Sequence, residues 1–502
     1  MTALTTDPDH APDERDADPM RDTLAPLAPI EPFLVDGAWL APEGAEMLDV
    51  VDPATEELLT RVPQAGPAEI EAAVRAARRA HDDARWSGMS PHDRSRILNR
   101  VADLIEERLE ELAVLETRDN GKPIERSRAD TATSARVFRY YAGAPSRLTG
   151  TVVPVDAQHH VYTTLEPVGV AALILPWNFP IMTASFKLAP ALAAGCTVVV
   201  KPAEQTPLTM LRLAALCEEA GVPAGVVNVL TGDGRVGAAL TEHPLVSKVS
   251  FTGSTEVGRK VMRAASEDFT RLTLELGGKS PNIVFEDADL DAVVLTAMRA
   301  SFGHSGQMCT AGSRLLVQRS ILEEATERLT AAVRRVALGD GLAGGVTVGP
   351  LVSEEQRQQV LGYIAQGEAE GAVVAVGGGV PDRPGFYVEP TLFTGVTNTM
   401  TIAREEIFGP VVGIIPFEDE DEAVALANDQ TYGLAAGVWT RDVSRAHRMG
   451  RRLRAGTVWV NTYNLFDPAL SFGGVGESGL GRDLGEEALR SFCELKSVVV
   501  AL

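Results

Sequence analysis

Of the four cysteines in the chain, one differs from the others in its surroundings. Cys196 and Cys217 lie within apolar runs, whereas Cys309 lies in residues 302–314, Phe-Gly-His-Ser-Gly-Gln-Met-Cys-Thr-Ala-Gly-Ser-Arg. A thiolate nucleophile needs access and nearby dipoles that lower its pKa. This polar, glycine-rich stretch between a helix and a strand is compatible with that, and also with a buried loop thiol. Glu275 ends an apolar strand in Leu-Thr-Leu-Glu-Leu-Gly-Gly-Lys-Ser, residues 272–280. A carboxylate there costs free energy to bury unless it is paired or serves as a base. It therefore reads either as a general base or as the ion-pair partner of a neighbour such as Lys279. Asn178, in Leu-Pro-Trp-Asn-Phe-Pro (residues 175–180), lies just past the carboxyl end of a strand, where open α/β sheets bind ligands. Its amide suits donation to a developing oxyanion or stabilisation of a Pro-rich turn.

Two further segments suit a nucleotide. In residues 198–207, Val-Val-Val-Lys-Pro-Ala-Glu-Gln-Thr-Pro, Lys201 and Glu204 leave the end of another strand. An acid there can accept from ribose hydroxyls, or the two charges form a solvated pair. Residues 251–258, Phe-Thr-Gly-Ser-Thr-Glu-Val-Gly, open a helix whose N-terminus suits a phosphate. The spacing is not GxGxxG, that of Gly232-Asp233-Gly234 is no better, and an ordinary capped helix start accounts for it equally.

The elements that must position these residues follow from periodicity. Residues 68–85 read as a helix. Ser90-Pro91-His92-Asp93 supplies a Ser N-cap, Pro at the first helical position and an acid at the third; the helix behind it is expected to run to about Arg118 and to end at Asn120-Gly121. Residues 150–164, rich in Val, Thr and His, read as extended, either a projecting arm or a surface hairpin. Strands are expected at 170–175, 197–200, 226–230, 248–251 and 272–274. Helices are expected at 181–194, from a Thr206-Pro207 cap to about Gly221, and from about Thr255. Val- and Ile-rich strands alternating with helices indicate βαβ units and a parallel sheet. A second alternating series spans about 281–460, and residues 497–500 read as a β-rich end.

With 502 residues, about three domains are expected. The net charge of −23 argues against nucleic acid and against anionic membranes as partners. Residues 1–30, acidic and rich in Asp, Pro and Ala, read as a disordered tail and resemble neither a signal nor a transit peptide. No apolar stretch is long enough to span a bilayer. Widely spaced cysteines without a CxxC pair argue against disulfides and zinc, and place the chain in the cytoplasm with no metal.

Taken in order, Pro-Trp-Asn-Phe-Pro, Lys-Pro-Ala-Glu-Gln-Thr-Pro, Phe-Thr-Gly-Ser, Leu-Glu-Leu-Gly-Gly-Lys, Gly-Gln-x-Cys and Glu-Glu-Ile-Phe-Gly-Pro (residues 405–410) closely resemble the aldehyde dehydrogenase superfamily. The likeness continues through Trp459-Val460-Asn461 and Phe472-Gly473-Gly474 to Ser478-Gly479. It implies an α/β fold: a Rossmann-like NAD-binding domain (31–145 and 166–277), a second α/β catalytic domain (278–477), and a small β oligomerisation arm with a C-terminal segment (146–165 and 478–502). It implies Cys309 as nucleophile, Glu275 as general base and Asn178 as oxyanion donor, helped by the Cys309 backbone N–H. Lys201 and Glu204 match contacts to the adenosine ribose, and Gly253 and Ser254 the pyrophosphate loop. Glu406 and Phe408 match residues at the nicotinamide ribose and ring, with Trp177 and Leu276 also assigned to the cofactor. Lys187 matches a lysine near the active site.

The implied reaction is hydrolytic oxidation of an aldehyde to an acid. NAD is favoured over NADP because Glu204 would repel a 2′-phosphate, although Lys201 leaves NADP possible. Phe179, Phe186, Phe466 and Phe472 fall where the family lines its substrate tunnel, which suits an apolar or aromatic aldehyde, and residues 461–467 resemble segments of phenylacetaldehyde dehydrogenases. A betaine or other short-chain aldehyde is the alternative. Ser471, where Pro is usual, and Val475-Gly476, where Tyr-Lys is common, depart from the pattern at the tunnel mouth. A homodimer or homotetramer is implied. The rival readings are a catalytically silent structural member and a cysteine hydrolase pairing Cys309 with a histidine such as His304.

Overall fold

A computed structural model describes residues 27–502; the tail reading for residues 1–26 lies outside the described residues. The first sheet has eight strands in the order Gly479–Leu480, Arg271–Glu275, Lys248–Thr252, Val170–Ile174, Thr197–Lys201, Val227–Val229, Phe33–Val35 and Ala38–Leu40. From Arg271–Glu275 to Val227–Val229 all neighbours run parallel. These are the strands expected from the alternating pattern, with ends shifted by one residue or so. Register aligns Ile174 with Lys201 and Thr252 with Glu275, so the carboxyl ends share one edge. The chain first builds outward from Val170–Ile174 on one side, then returns to its other side at Lys248–Thr252. A reversal of this kind opens a crevice at the carboxyl edge.

The second sheet has seven strands in the order Val373–Val376, Thr391–Thr394, Val411–Phe417, Arg314–Gln318, Pro281–Val284, Ala435–Trp439 and Thr457–Val460. Only the outermost pair, Val373–Val376 with Thr391–Thr394, is antiparallel. The link from Glu275 to Pro281 is five residues long, so the carboxyl edge of the first sheet faces the amino edge of the second. A third, antiparallel sheet pairs His159–Pro167 with both Val152–Val153 and Cys493–Ala501. The extended reading of residues 150–164 and the β-rich C-terminal reading thus meet in one arm.

Helix Pro180–Ala194 is buried at every position, which its sequence allows because only Lys187 carries a charge. Two expectations need correction. The helix opened by Ser90 caps as expected, its Oγ accepting from Asp93 N at 3.1 Å. It ends at Glu107, however, because Arg108 leaves helical geometry (φ −113°, ψ 27°), and a separate helix, Leu109–Asn120, follows. Helix Leu208–Ala220 is not capped by the Thr206 side chain. Buried Asp119 accepts from Leu208 N at 2.9 Å, and Thr206 Oγ1 donates instead to the Trp177 carbonyl. Both partners are remote in sequence, where local cap rules do not reach.

Candidate active site

The Cys309 loop enters strand Arg314–Gln318 from helix Leu290–Ser301 through a left-handed turn. His304, Ser305 and Gly306 have φ of 51°, 55° and 70°. Consecutive left-handed residues are costly for side chains with a Cβ and persist only where the surroundings impose them. Here Ser305 Oγ donates to Gly349 O at 2.7 Å, Gln307 Oε1 accepts from Val352 N at 2.9 Å, and Tyr463 Oη donates to Thr310 O at 2.9 Å. Gly306 is required twice over: its φ is positive, and a Cβ would lie 2.0 Å from Gly409 O. The loop is therefore pinned on both sides of Cys309.

Cys309 is partly exposed, whereas the other three cysteines are buried. Burial drives its thiol pKa up, the Glu406 and Glu275 carboxylates add to this, and the backbone N–H groups of Thr310 and Cys309 pull the other way. The thiol is thus protonated at rest and needs a base.

Glu275 sits at the carboxyl edge with neither carboxylate oxygen hydrogen-bonded. Its pKa is raised well above the usual range, first by burial and then by Asp483, against the pull of Lys187 and Arg482. The ion pair with Lys279 does not form. Lys279 Nζ is itself without a hydrogen-bond partner, and burial pushes its pKa down to about 7. Space for Glu275 comes from Gly473, where a Cβ would lie 2.4 Å from Glu275 Oε1. Behind it Lys187, fully buried, donates to Asp483 Oδ2 at 2.8 Å and to Ser250 Oγ at 3.0 Å.

Asn178 is buried and donates from Nδ2 to Gln307 O at 2.9 Å, which ties it to the Cys309 loop. Its turn is held by Asn120 Nδ2, which donates to Trp177 O at 2.7 Å. Asn178 therefore belongs to a fixed turn and lines the cavity.

Cys309, Glu275 and Asn178 line one cavity of about 960 Å³. So do Trp177, Lys201, Glu204, Gly253, Ser254, Leu276, Glu406 and Phe408, and also Phe179, Phe186, Phe466 and Phe472. Lys187 lies behind the wall. Lys201 Nζ pairs with Glu204 Oε2 at 2.9 Å at the end of its strand. Ser254 caps helix Thr255–Ala265, its Oγ accepting from Val257 N at 3.3 Å, and the N-terminus of that helix opens on the cavity. Glu406 accepts from Gly278 N at 3.1 Å, and burial raises its pKa to about 7. Phe408 meets Trp177 edge to face, with centroids 5.1 Å apart. An acid beside a strand end, a helix N-terminus and an aromatic platform form one continuous trough with the donor set a dinucleotide needs.

On the opposite side Phe466 packs edge to face on Phe472 at 5.2 Å, and Phe179 on His304 at 5.3 Å. His304 does not serve Cys309. It is buried, neither ring nitrogen is hydrogen-bonded, and burial with Lys122 and Arg126 nearby keeps its pKa low. Asp483 and Arg126 are among the lining residues not anticipated from sequence. Asp483 lies 296 positions from Lys187, and Arg126 belongs to helix Ile124–Ala142. Neither stands in a local pattern that marks it. Of the residues that depart from the family pattern, Ser471 Oγ donates to Glu487 and Val475 is exposed.

The model of the Aldehyde dehydrogenase family matches residues 39–498. DhaS of Bacillus subtilis (strain 168), provisionally described as an aldehyde dehydrogenase, is 47% identical over 470 residues, covering 93% of this chain and 95% of its own. A betaine aldehyde dehydrogenase of Rhizobium leguminosarum bv. trifolii (strain WSM2304) is 46% identical over 473 residues, covering 93% and 96%. The NAD+ complex of an aldehyde dehydrogenase from Bacillus cereus superposes with a TM-score of 0.93 at 45% identity, covering 94% of this chain and 96% of that one. With these matches over nearly its whole length, the chain belongs to the aldehyde dehydrogenase family.

Proposed function

We propose that the protein oxidises an aldehyde to a carboxylic acid with NAD, through a thioester on Cys309 that a Glu275-activated water hydrolyses. The observation that carries this reading is the meeting of Cys309, Glu275 and Asn178 with the dinucleotide trough in one cavity. A bound nicotinamide supplies the hydride acceptor. Glu275 relieves the protonated thiol of its proton, and the sulphur adds to the carbonyl carbon. The Asn178 amide and the Cys309 backbone N–H stabilise the oxyanion of the thiohemiacetal. After oxidation to the thioester, Glu275 gives the thiol proton up to solvent. As a carboxylate again it takes a proton from water, whose oxygen adds to the thioester carbon, and the C–S bond breaks to release the acid and the Cys309 thiolate. Lys187 and Asp483, behind Glu275, tune its charge.

Lys201 with Glu204 would hold the adenosine ribose, and Glu204 would disfavour a 2′-phosphate. Gly253 and Ser254 would sit at the pyrophosphate. Trp177, Leu276, Glu406 and Phe408 would frame the nicotinamide end. The Phe179, Phe186, Phe466 and Phe472 wall supports an apolar or aromatic aldehyde. A betaine aldehyde is the second reading, favoured by the name of the Rhizobium relative.

The domain division given above and a cytoplasmic dimer or tetramer complete the proposal. The arm supports assembly, because Val152, Leu495 and Val499 are each more than 60% exposed on it. Among the described residues no helix is long and apolar enough to cross a membrane. The direct test is an aldehyde panel with NAD and with NADP on the wild type and on Cys309→Ala. NADH formation from phenylacetaldehyde that exceeds that from betaine aldehyde is expected, and better use of betaine aldehyde would overturn the apolar assignment.

A further inference from the structure

Arg126 lines the same cavity as Cys309, yet the mechanism leaves it unused. It sits in the first turn of helix Ile124–Ala142, with its side chain 35% exposed. Its guanidinium lies over the face of Phe179, 5.8 Å from the centroid. The hydrogen bond it makes among the described residues is a long one, from Nη2 to Met308 Sδ at 3.9 Å, and thioether sulphur is a weak acceptor. Nε is buried without a hydrogen-bond partner.

The nearby carboxylates are engaged elsewhere. Asp130 Oδ1 approaches Nε only to 3.8 Å, and its other oxygen takes Lys122 at 3.0 Å. Glu125 pairs with Arg128 at 2.6 Å. Lys122 is compensated by two carboxylates, Glu116 and Asp130, each at 3.0 Å. Arg126 thus presents a planar fork of N–H donors with most of its capacity unspent. That fork matches a carboxylate in two parallel hydrogen bonds.

Its place fixes which part of a substrate it meets. Met308, its sulphur contact, immediately precedes the nucleophile, and Phe179, its ring contact, immediately follows the oxyanion donor. Arg126, Phe179 and Cys309 line one cavity, so a molecule with its aldehyde carbon at Cys309 can run along the Phe179 ring towards the guanidinium. We propose that Arg126 is a specificity-determining residue that binds a carboxylate at the far end of the aldehyde. The site then takes ω-oxo acids with an apolar body in preference to the uncharged aldehyde of equal length, and it repels a quaternary ammonium. The inference rests on the oxidation proposed above and narrows its substrate class.

The test compares kcat/KM with NAD for adipic semialdehyde, succinic semialdehyde, hexanal, butanal and betaine aldehyde. The enzymes are the wild type, Arg126→Gln, Arg126→Lys and Arg126→Glu. The wild type should prefer each semialdehyde to its uncharged counterpart. Arg126→Gln should lower kcat/KM for the better semialdehyde about tenfold to a hundredfold, mostly through KM, and leave hexanal within about threefold. Arg126→Lys should restore part of the loss, and Arg126→Glu should raise betaine aldehyde relative to hexanal. A parallel fall for hexanal, or wild-type preference for hexanal or betaine aldehyde, would overturn the role of Arg126 while leaving the oxidation standing. Failure of the wild type on every aldehyde would overturn both.

Discussion

The two halves of the cavity are built to opposite rules. In the dinucleotide trough, polar groups have partners. Lys201 has Glu204, Ser254 has a backbone N–H, and Glu406 has Gly278 N. On the reacting side, Glu275 has no hydrogen-bond partner, the Cys309 thiol is raised by burial, and the turn ahead of it runs left-handed. Satisfied groups bind a ligand at little cost to the fold. Unsatisfied ones raise the energy of the resting site and gain partners only as the reaction proceeds, which is the condition for accelerating it. Function therefore shows most clearly where the molecule breaks ordinary pairing rules.

Substitutions should separate the halves sharply. On the reacting side, Cys309→Ala should lower kcat by at least about 10⁴ while NAD binding, followed by protein fluorescence, stays unchanged; lost binding would merge the two halves. Glu275→Gln should cost about 10²–10⁴ in steady-state turnover and should slow the first equivalent of NADH as well, because the same carboxylate activates the thiol. Because the raised pKa of Glu275 keeps it protonated at low pH, wild-type kcat should climb as pH rises through that pKa, and the limb should flatten in Glu275→Gln. A bell with no dependence on residue 275 would assign the base elsewhere. Asn178→Ala should lower kcat by about 10²–10³ with little change in KM for NAD. On the cofactor side the effect should be smallest. Glu204→Gln should raise KM for NAD about two- to tenfold and improve NADP, with kcat unchanged.

Sequence reading was strong where the information is local or recurs as a motif. The five parallel strands, the Ser90 cap and the ends of helix Pro180–Ala194 follow from periodicity and capping, and appear nearly where expected. Cys309 is ambiguous as a lone loop thiol; the company of Glu275 and Asn178 supports the role proposed for it. What was missed depends on distant partners. The Leu208 helix takes its cap from Asp119, 89 positions away, so the Thr206 signal pointed to the wrong oxygen. Asp483 and Arg126 reach the cavity from elements whose own patterns are unremarkable. The break at Arg108 has no Gly or Pro to announce it.

The short strand Gly479–Leu480 closes the free edge of the strand that bears Glu275, pairing Gly479 with Glu275 itself. Ser478 joins in, its Oγ donating to Gly277 O at 2.7 Å and accepting from Gly433 N at 3.0 Å. During synthesis, Glu275 and Cys309, the proposed base and nucleophile, therefore leave the ribosome long before the segment that pairs with Glu275. The parallel strands of the first sheet can pair early, but the strand that bears Glu275 gains its edge partner only after residue 479 has docked. A chain cut short before residue 479 would carry Cys309 but leave the edge of the Glu275 strand unpaired.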